Sequence, residues 1–388
     1  MSSKNVLSSR FTIGFLGAGQ LARMSAYEAL RFGMRVASYS GSESGNEPLE
    51  MMTPFRFPGS FQDADALVHF ARQCDIVTLE NEFLDAELLD DVEQQSGTPL
   101  LPSPGTFHLI GTKWQEKETF RKAGLPVAPY RRMTSEADLE RFGNEHGYPF
   151  LLKSSKGGYD GYGTATIGTL AEAGQAFRDL GGGAGRELIA EAYVPFVKEL
   201  AVQVARNKSG TVVYPCCETI QKGHICQTVI APAPVDPDIR RQACDLAVAA
   251  TEAIRGTGLF AFELFLTGDG SLLLNESAPR PHNSGHYTME ACVTSQFENH
   301  IRTVTGLPPG PADMRRPCAV MENLLGSRNG PAFIDDADEV WKHPDVHLHL
   351  YGKEQSRKGR KMGHLTVLGA DIRQTRELAA TIAGRLLI

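Results

Sequence analysis

A buried strand that runs straight into a glycine turn and then into a helix leaves few folds open to a chain. Here the stretch FLGAGQLARM, Phe15 to Met24, follows the apolar positions Phe11, Ile13, Phe15 and Leu16 and sets Gly17, Gly19 and Ala22 at G-x-G-x-x-G/A spacing. That order predicts a Rossmann-like unit whose turn presents free backbone N–H groups to an anion. A nicotinamide dinucleotide and any other phosphate compete for such a turn on equal terms. A dinucleotide site calls for an Asp or Glu at the end of the second strand, about 20 residues on. Ser38-Tyr39-Ser40 stand there instead, and the next acid is Glu43.

Strand and helix signals alternate from residue 11 to about 105: strand Phe11–Leu16, helix Gln20–Phe32 closed by Gly33, strand Met34–Tyr39, helix Phe61–Gln73 and strand Asp75–Leu79. The prediction is a doubly wound α/β domain with a parallel sheet. Ligands in such sheets lie beyond the carboxyl ends of the strands, where Gly17–Gln20 and Glu80-Asn81-Glu82 both fall, so these two loops are expected to face each other.

At 388 residues two to four units are expected, because single cores stop growing at roughly 250–300 residues. Leu101-Pro102-Ser103-Pro104 marks a change of composition, and a helix is predicted over Gly105–Ala123, stopped by Gly124 and Pro126. A helix near Ser135–His146, a strand at Phe150–Lys153 and the loop KGGYDGYGT, Lys156 to Thr164, come next. From Glu187 the pattern is strand-rich, with Leu200–Ala205, Val212–Tyr214, Phe260–Leu266 and Ser271–Leu274 predicted in a long antiparallel sheet. After Pro317 short strands and turns lead to a helix at Thr375–Leu387. The units expected are residues 1–105, 106–190, 191–320 and 321–388, the whole mixing α/β and α+β architecture.

Both charge signs are interspersed and the formal net charge is -7, which offers no broad basic surface for nucleic acid. No run of about 18 apolar residues could span a bilayer, and Met1–Arg10 is polar, so the expected compartment is the cytoplasm. The seven cysteines follow no C-x-x-C spacing, which argues against zinc and against a disulfide framework. The adjacent Cys216 and Cys217 would be oxidation-sensitive only if exposed.

Chemistry concentrates in three places. Gly157, Gly158, Gly161 and Gly163 crowd into seven residues, as a loop wrapping phosphate would require, although a mobile hairpin tip uses the same residues. Lys153 precedes that loop on its strand, where an ammonium reaches a nucleotide phosphate. Glu263 lies inside the apolar run LFAFELFLT and Glu276 ends SLLLNE; a hairpin through Thr267-Gly268-Asp269-Gly270 would set them side by side. Two carboxylates beside a phosphate site suit Mg²⁺, which takes hard oxygen ligands, whereas a salt-bridged pair in a sheet is the plainer alternative. Immediately after come Arg280, His282, Asn283 and His286 in APRPHNSGHYT, a turn suited to a small oxyanion next to a γ-phosphate.

These residues resemble the ATP-grasp ligases, and among them the N5-carboxyaminoimidazole ribonucleotide synthetase family of purine biosynthesis. The resemblance rests on GAGQL at 17–21, TLENE at 78–82, GGYDG at 157–161, FELF at 262–265, NESAPRPHNSGHYT at 275–288, SQFENHIR at 295–302, and YGK with GRKMGH at 351–364. It implies the ATP-grasp fold: a Rossmann-like substrate domain, a small lid, an antiparallel catalytic sheet and a short β-rich tail. The implied reaction joins bicarbonate to 5-aminoimidazole ribonucleotide at the expense of ATP, through carboxyphosphate, with ADP and phosphate released. Bicarbonate is a weak nucleophile, and carboxyphosphate hydrolyses in water, so such a site needs cations for the charge and a lid to keep it dry.

By matching positions the resemblance implies that Lys113, Lys153 and Gly158 contact ATP phosphates, with Glu191 and Val194 at the adenine edge and Glu199 at the ribose. Glu263 and Glu276 would bind Mg²⁺. Arg280, His282 and Asn283 would hold bicarbonate or the intermediate, helped by Lys353 and Arg360. Gly19, Gln20, Leu21, Glu80 and Glu82 would meet the aminoimidazole ribonucleotide, its phosphate on the glycine turn, with Tyr159 and Asp160 closing from the lid. A homodimer is implied as well. The chain departs from the family pattern at Gly161-Tyr162-Gly163, where a Lys or Arg is usual between the glycines and Lys156 would substitute, at the missing acid after strand two, and at Thr219, where Asn usually follows Glu218.

Rival readings keep the fold and change the acceptor, as in a formate-dependent glycinamide ribonucleotide transformylase, or use the first domain for a nicotinamide oxidoreductase. A non-catalytic nucleotide-binding regulator is a third. The GRKMGH tail argues against the first and the two acids against the last.

Overall fold

The structure is a computed structural model describing residues 5–41, 45–80, 82–157, 163–182, 184–335 and 337–388. Strands β1 (Thr12–Leu16), β2 (Arg35–Ser40), β3 (Phe55–Pro58), β4 (Ile76–Leu79) and β5 (Leu100–Leu101) form a parallel sheet in the order β3-β2-β1-β4-β5. Helices α1 (Gln20–Arg31), α2 (Ala64–Ala71) and α3 (Ala86–Ser96) connect them. The expected helix at Phe61–Gln73 starts three residues later, because Asp63 caps it by accepting from the Ala66 N–H.

The single helix expected over Gly105–Ala123 is two, α4 (Pro104–Ile110) and α5 (Lys113–Lys122). Thr112 takes an extended conformation between them and its hydroxyl accepts from the Gln115 N–H, a cap contributing about 1 kcal/mol. The break redirects the chain so that Lys113 opens α5, with its N–H donating to the Ser155 carbonyl.

A second sheet holds β6 (Tyr130–Met133), β7 (Phe150–Ser154), β8 (Thr164–Ile167) and β9 (Leu188–Ala192) in the order β6-β9-β7-β8, packed on α6 (Glu136–His146) and α7 (Leu170–Asp179). Its core runs from Met133 to Ala190. Phe107 of α4 packs instead into the first core, and Phe120 of α5 into that of the large sheet. The expected 106–190 unit therefore shares its first two helices with its neighbours.

The third sheet is built from β10 (Phe196–Asn207), β11 (Gly210–Val213), β12 (Cys217–Lys222), β13 (Ile225–Ala231), β14 (Gly258–Thr267), β15 (Leu272–Ala278) and β16 (Cys318–Leu325). The chain then forms β17 (Gly330–Pro331), β18 (Val346–Leu350), β19 (Gln355–Ser356) and β20 (Lys361–Gly369). The nine-stranded order is β15-β14-β10-β12-β13-β16-β20-β18 with β11 on β10, so the sheet crosses the expected boundary at 320 without interruption. The tail thus contributes a nine-residue strand rather than short pieces only. Its last helix is Ile372–Ala383, begun earlier than expected by the Asp371 cap.

Besides α3, α7 and two four-residue helices, sequence reading passed over the helices Pro237–Ala253 and Gln296–Val304. The first covers one face of the large sheet. The second packs against α1, where His300 accepts or donates between Ser25 at 3.0 Å and Thr78 at 2.9 Å. Cys216 and Cys217 are both buried, which removes the exposure that oxidation sensitivity required.

Candidate active site

Glu263 and Glu276 face each other as direct partners on the β14–β15 ladder, so their side chains share one face of the sheet. Glu199 lies on that same face, since it stands two residues from Ala201 along β10 and Ala201 pairs with Glu263. Burial, reinforced by Glu276 and Glu199, pushes the Glu263 carboxyl up to about 8. Burial also opposes ionisation of Glu276, but the Lys113 ammonium 2.8 Å away overcomes it and holds that carboxyl below its ordinary value. Glu199 is raised to about 7 by burial. Glu276 therefore carries its charge beside Lys113, while Glu263 and Glu199 are held toward their protonated forms.

Opposite it stands a group of lysines. Lys153 at the end of β7 bonds Glu191 on β9 at 3.0 Å, and Lys117, one helical turn beyond Lys113, approaches the same carboxylate at 3.5 Å. Burial works against the Glu191 charge, yet Lys117 and Lys153 together pull its pKa to about 2. Lys153 is lowered by burial and by the neighbouring lysines. Three ammonium groups around one carboxylate leave a net positive wall, the requirement for polyphosphate. Val194 lies in the link between β9 and β10, its carbonyl accepting from the Phe196 N–H at 2.9 Å, three residues beyond Glu191.

A cleft lined by Glu82, Thr112, Lys113, Glu116, Lys156 and Glu276 joins these walls. Glu116 anchors its floor by accepting from the Ser277 N–H at 2.7 Å, and burial beside Glu276 raises its pKa to about 7. Lys156 at the rim pairs with Asp85 at 2.7 Å.

The turn after β15 closes the cleft. Arg280 forks onto both carboxylate oxygens of Glu82, tying the turn to the first sheet's β4 loop. His282 brings Nε2 to 3.6 Å from Glu263, and burial with the nearby Arg280 and Lys361 cations depresses its imidazole to about 3. Asn283 exchanges a reciprocal pair of amide bonds with Asn323 on β16, at 2.9 and 2.6 Å. Its amide fastens the turn to the sheet. His286 is buried, with Nδ1 bonded to the Gln296 amide at 2.9 Å. It lies below the site rather than in it.

The glycine turn requires a correction. Glu80 accepts from the N–H groups of Gly19 and Leu21, and the Gly17 N–H donates to the Tyr39 carbonyl at 2.9 Å. A Cβ at Gly17 would lie 2.6 Å from that of Glu80, and Gly17 has φ +115°, so the glycines admit a carboxylate of the chain itself. The donors expected to hold a substrate phosphate are engaged, because β1 and β4 are adjacent and bring Glu80 to the N-terminus of α1. The two loops do face each other, as expected. The acid missing after strand two arrives from a short 3₁₀ turn: buried Glu50 accepts from the Ser40 hydroxyl at 2.6 Å.

From the tail, Lys353 donates to the Lys361 carbonyl at 2.8 Å; burial and then Arg360 lower it to about 8 against the pull of Glu80 and Glu47. Arg360 donates to the Gln355 carbonyl at 2.8 Å. Glu218 pairs with Lys198 at 2.7 Å on the opposite face from Glu199, Glu263 and Glu276. Gly158, Tyr159 and Asp160 lie outside the described residues. Sequence reading missed Glu116, Lys117, Gln203, Ser284, Asn323 and Lys361. Lys117 at i+4 from Lys113 and the polar Gln203 inside the apolar strand LAVQVA were signals available to it.

A wall of lysines beside paired acids, with a small four-stranded sheet next to a large antiparallel one, defines an ATP-grasp ligase. The "ATP-grasp domain" model matches residues 118–297, the "Ribonucleotide synthetase preATP-grasp domain" model 11–111 and the "Phosphoribosylaminoimidazole carboxylase C-terminal domain" model 319–378. The chain is 37% identical to the N5-carboxyaminoimidazole ribonucleotide synthase of Bacillus subtilis, over 94% of this chain and 93% of that one. It is 40% identical to the phosphoribosylaminoimidazole carboxylase of Ogataea methanolica over 92% of its length, but spans only 66% of that relative. An Aspergillus clavatus N5-carboxyaminoimidazole synthase solved with ADP and 5-aminoimidazole ribonucleotide superposes with a TM-score of 0.85 at 34% identity, covering 96% of this chain and 98% of that one. The chain belongs to the N5-carboxyaminoimidazole ribonucleotide synthase family. That membership sets aside the oxidoreductase reading.

Proposed function

We propose that the chain carboxylates 5-aminoimidazole ribonucleotide at its exocyclic amine, using ATP and bicarbonate by way of carboxyphosphate and releasing ADP and phosphate. The observation that carries this is a linked set of contacts: Glu263 partners Glu276 on the ladder, Glu276 holds Lys113, Lys117 and Lys153 share Glu191, His282 approaches Glu263, and Arg280 grips Glu82.

Lys113 and Lys153 would draw the ATP phosphates into the cleft, with Glu191 and Val194 at the adenine edge and Glu199 toward the ribose. Lys113 then exchanges Glu276 for phosphate, which frees that carboxylate. The crowded carboxyls of Glu263, Glu276 and Glu199 fit a divalent cation, whose charge would favour their ionised forms, and Glu263 with Glu276 would hold Mg²⁺. When bound, the ion neutralises charge shared between the phosphates. Bicarbonate would sit between His282 and Arg280, positioned for attack on the γ-phosphorus; orientation and electrostatics supply most of the acceleration in such transfers. Glu82 fixes the guanidinium plane through its fork. Lys353 and Arg360 would bind the phosphate of the aminoimidazole ribonucleotide now that the glycine turn is engaged, leaving Gly19, Gln20 and Leu21 as the surface beneath it. The expectation of a homodimer rests on the family resemblance, and that of cytoplasmic location on the absence of a long apolar run from the sequence.

The test is ADP release with Mg²⁺-ATP and bicarbonate, with and without 5-aminoimidazole ribonucleotide. Strong stimulation and one ADP per carboxylated product are expected. Stimulation by glycinamide ribonucleotide with formate instead, or none by either, would reject the assignment.

A further inference from the structure

His282 carries more information than its position. Its Nδ1 lies 2.7 Å from the Ser284 hydroxyl and 3.4 Å from the Ser284 backbone N–H. A backbone N–H can only donate, so Nδ1 is an acceptor. The hydroxyl is consistent with this: the Gln203 amide nitrogen donates to the Ser284 oxygen at 2.8 Å, and with Nδ1 an acceptor the hydroxyl proton is directed to the ring. Gln203 and Ser284 are both fully buried, the former on β10 and the latter in the 3₁₀ turn after His282, so neither rotates freely. Turning the Gln203 amide over would point its carbonyl at Ser284, reverse the hydroxyl and force the proton onto Nδ1, in conflict with the backbone donor.

We infer that Gln203 and Ser284 are positioning residues that hold His282 as the neutral Nε2–H tautomer, so that it meets the reacting oxyanion as a hydrogen-bond donor. The donor nitrogen is the one 3.6 Å from Glu263, on the cleft side. A ring held this way has no lone pair left at Nε2 for a proton. His282 therefore does not serve as the base that deprotonates bicarbonate or the amine; it offers a proton in a hydrogen bond to a carbonate or carboxyphosphate oxygen. The identity of that oxygen rests on the carboxylation reading, whereas the tautomer does not.

Long-range ¹H–¹⁵N correlation spectra of the full chain labelled with ¹⁵N-histidine read the tautomer directly, with the His282 signals assigned from their absence in His282→Asn. The expected wild-type pattern is Nε2–H. Ser284→Ala, which keeps only the longer backbone contact, is expected to give a mixture of tautomers and to lower kcat roughly ten-fold with little change in KM for ATP. Ser284→Thr restores both, and Gln203→Leu, which frees the hydroxyl to rotate, behaves as Ser284→Ala. An Nδ1–H pattern in the wild type overturns the inference, and so does an unshifted pattern in folded Ser284→Ala. If Ser284→Ala does not fold, the wild-type pattern and Gln203→Leu decide. An Nε2–H ring without stimulation by the aminoimidazole ribonucleotide would reject the carboxylation reading alone.

Discussion

Glu263 and Glu276 are direct partners across an antiparallel ladder, so two carboxylates project side by side from one face of the large sheet. Like charges placed this way repel unless a cation stands between them. In the structure the Lys113 ammonium serves Glu276, and burial raises Glu263 toward its protonated form.

Glu276→Gln keeps the shape and removes the charge. ADP release should fall by roughly 100-fold or more, the scale of losing one preorganised electrostatic contact. Circular dichroism should stay unchanged. Turnover within a few-fold of wild type at saturating Mg²⁺ would take Glu276 out of the metal site.

Lys353 has its proton affinity lowered to about 8, first by burial and then by Arg360. It is an ammonium below that pH and a neutral amine above it. If it grips the substrate phosphate, KM for the aminoimidazole ribonucleotide should climb as pH rises past about 8, at saturating bicarbonate. Lys353→Arg, whose guanidinium stays charged, should flatten the profile. An identical profile in that variant would remove Lys353 from the substrate's phosphate.

His300 joins α1, β4 and the helix Gln296–Val304 through Ser25 and Thr78, and burial depresses its pKa to about 3. The unfolded chain, with a pKa near 6.5, binds the extra proton between those values. The contribution to stability is thus complete above about pH 6.5 and is lost as pH falls toward 3, at up to about 1.4 kcal/mol per unit. Urea unfolding at pH 7 and 5.5 should show a shallower loss in His300→Gln; equal slopes would mean that His300 titrates normally in the fold.

Much of this was legible in the sequence where one residue type has few other uses. Acids inside apolar strands announced Glu263 and Glu276, and the turn between them fixed their register. The proline-rich run after Glu276 located Arg280 and His282. What escaped depended on contacts between distant segments. Nothing local tells that Thr112 splits a helix so that Lys113 and Lys117 face Glu191, because the break is stabilised by Ser155 from the second sheet. Nor does Asn283 reveal that its amide belongs to Asn323, 40 residues on. The helix Pro237–Ala253 was missed although Asp236 and Pro237 spell a helix start, since the strands on either side dominated the pattern.

The glycine turn shows what a motif of this kind reports. Glu80 is tethered to the loop by the sheet itself, so its effective concentration at the Gly19 and Leu21 amides far exceeds the millimolar range of free anions in solution. The chain is its own resident ligand there, and a dinucleotide or free phosphate would have to displace a partner that never diffuses away.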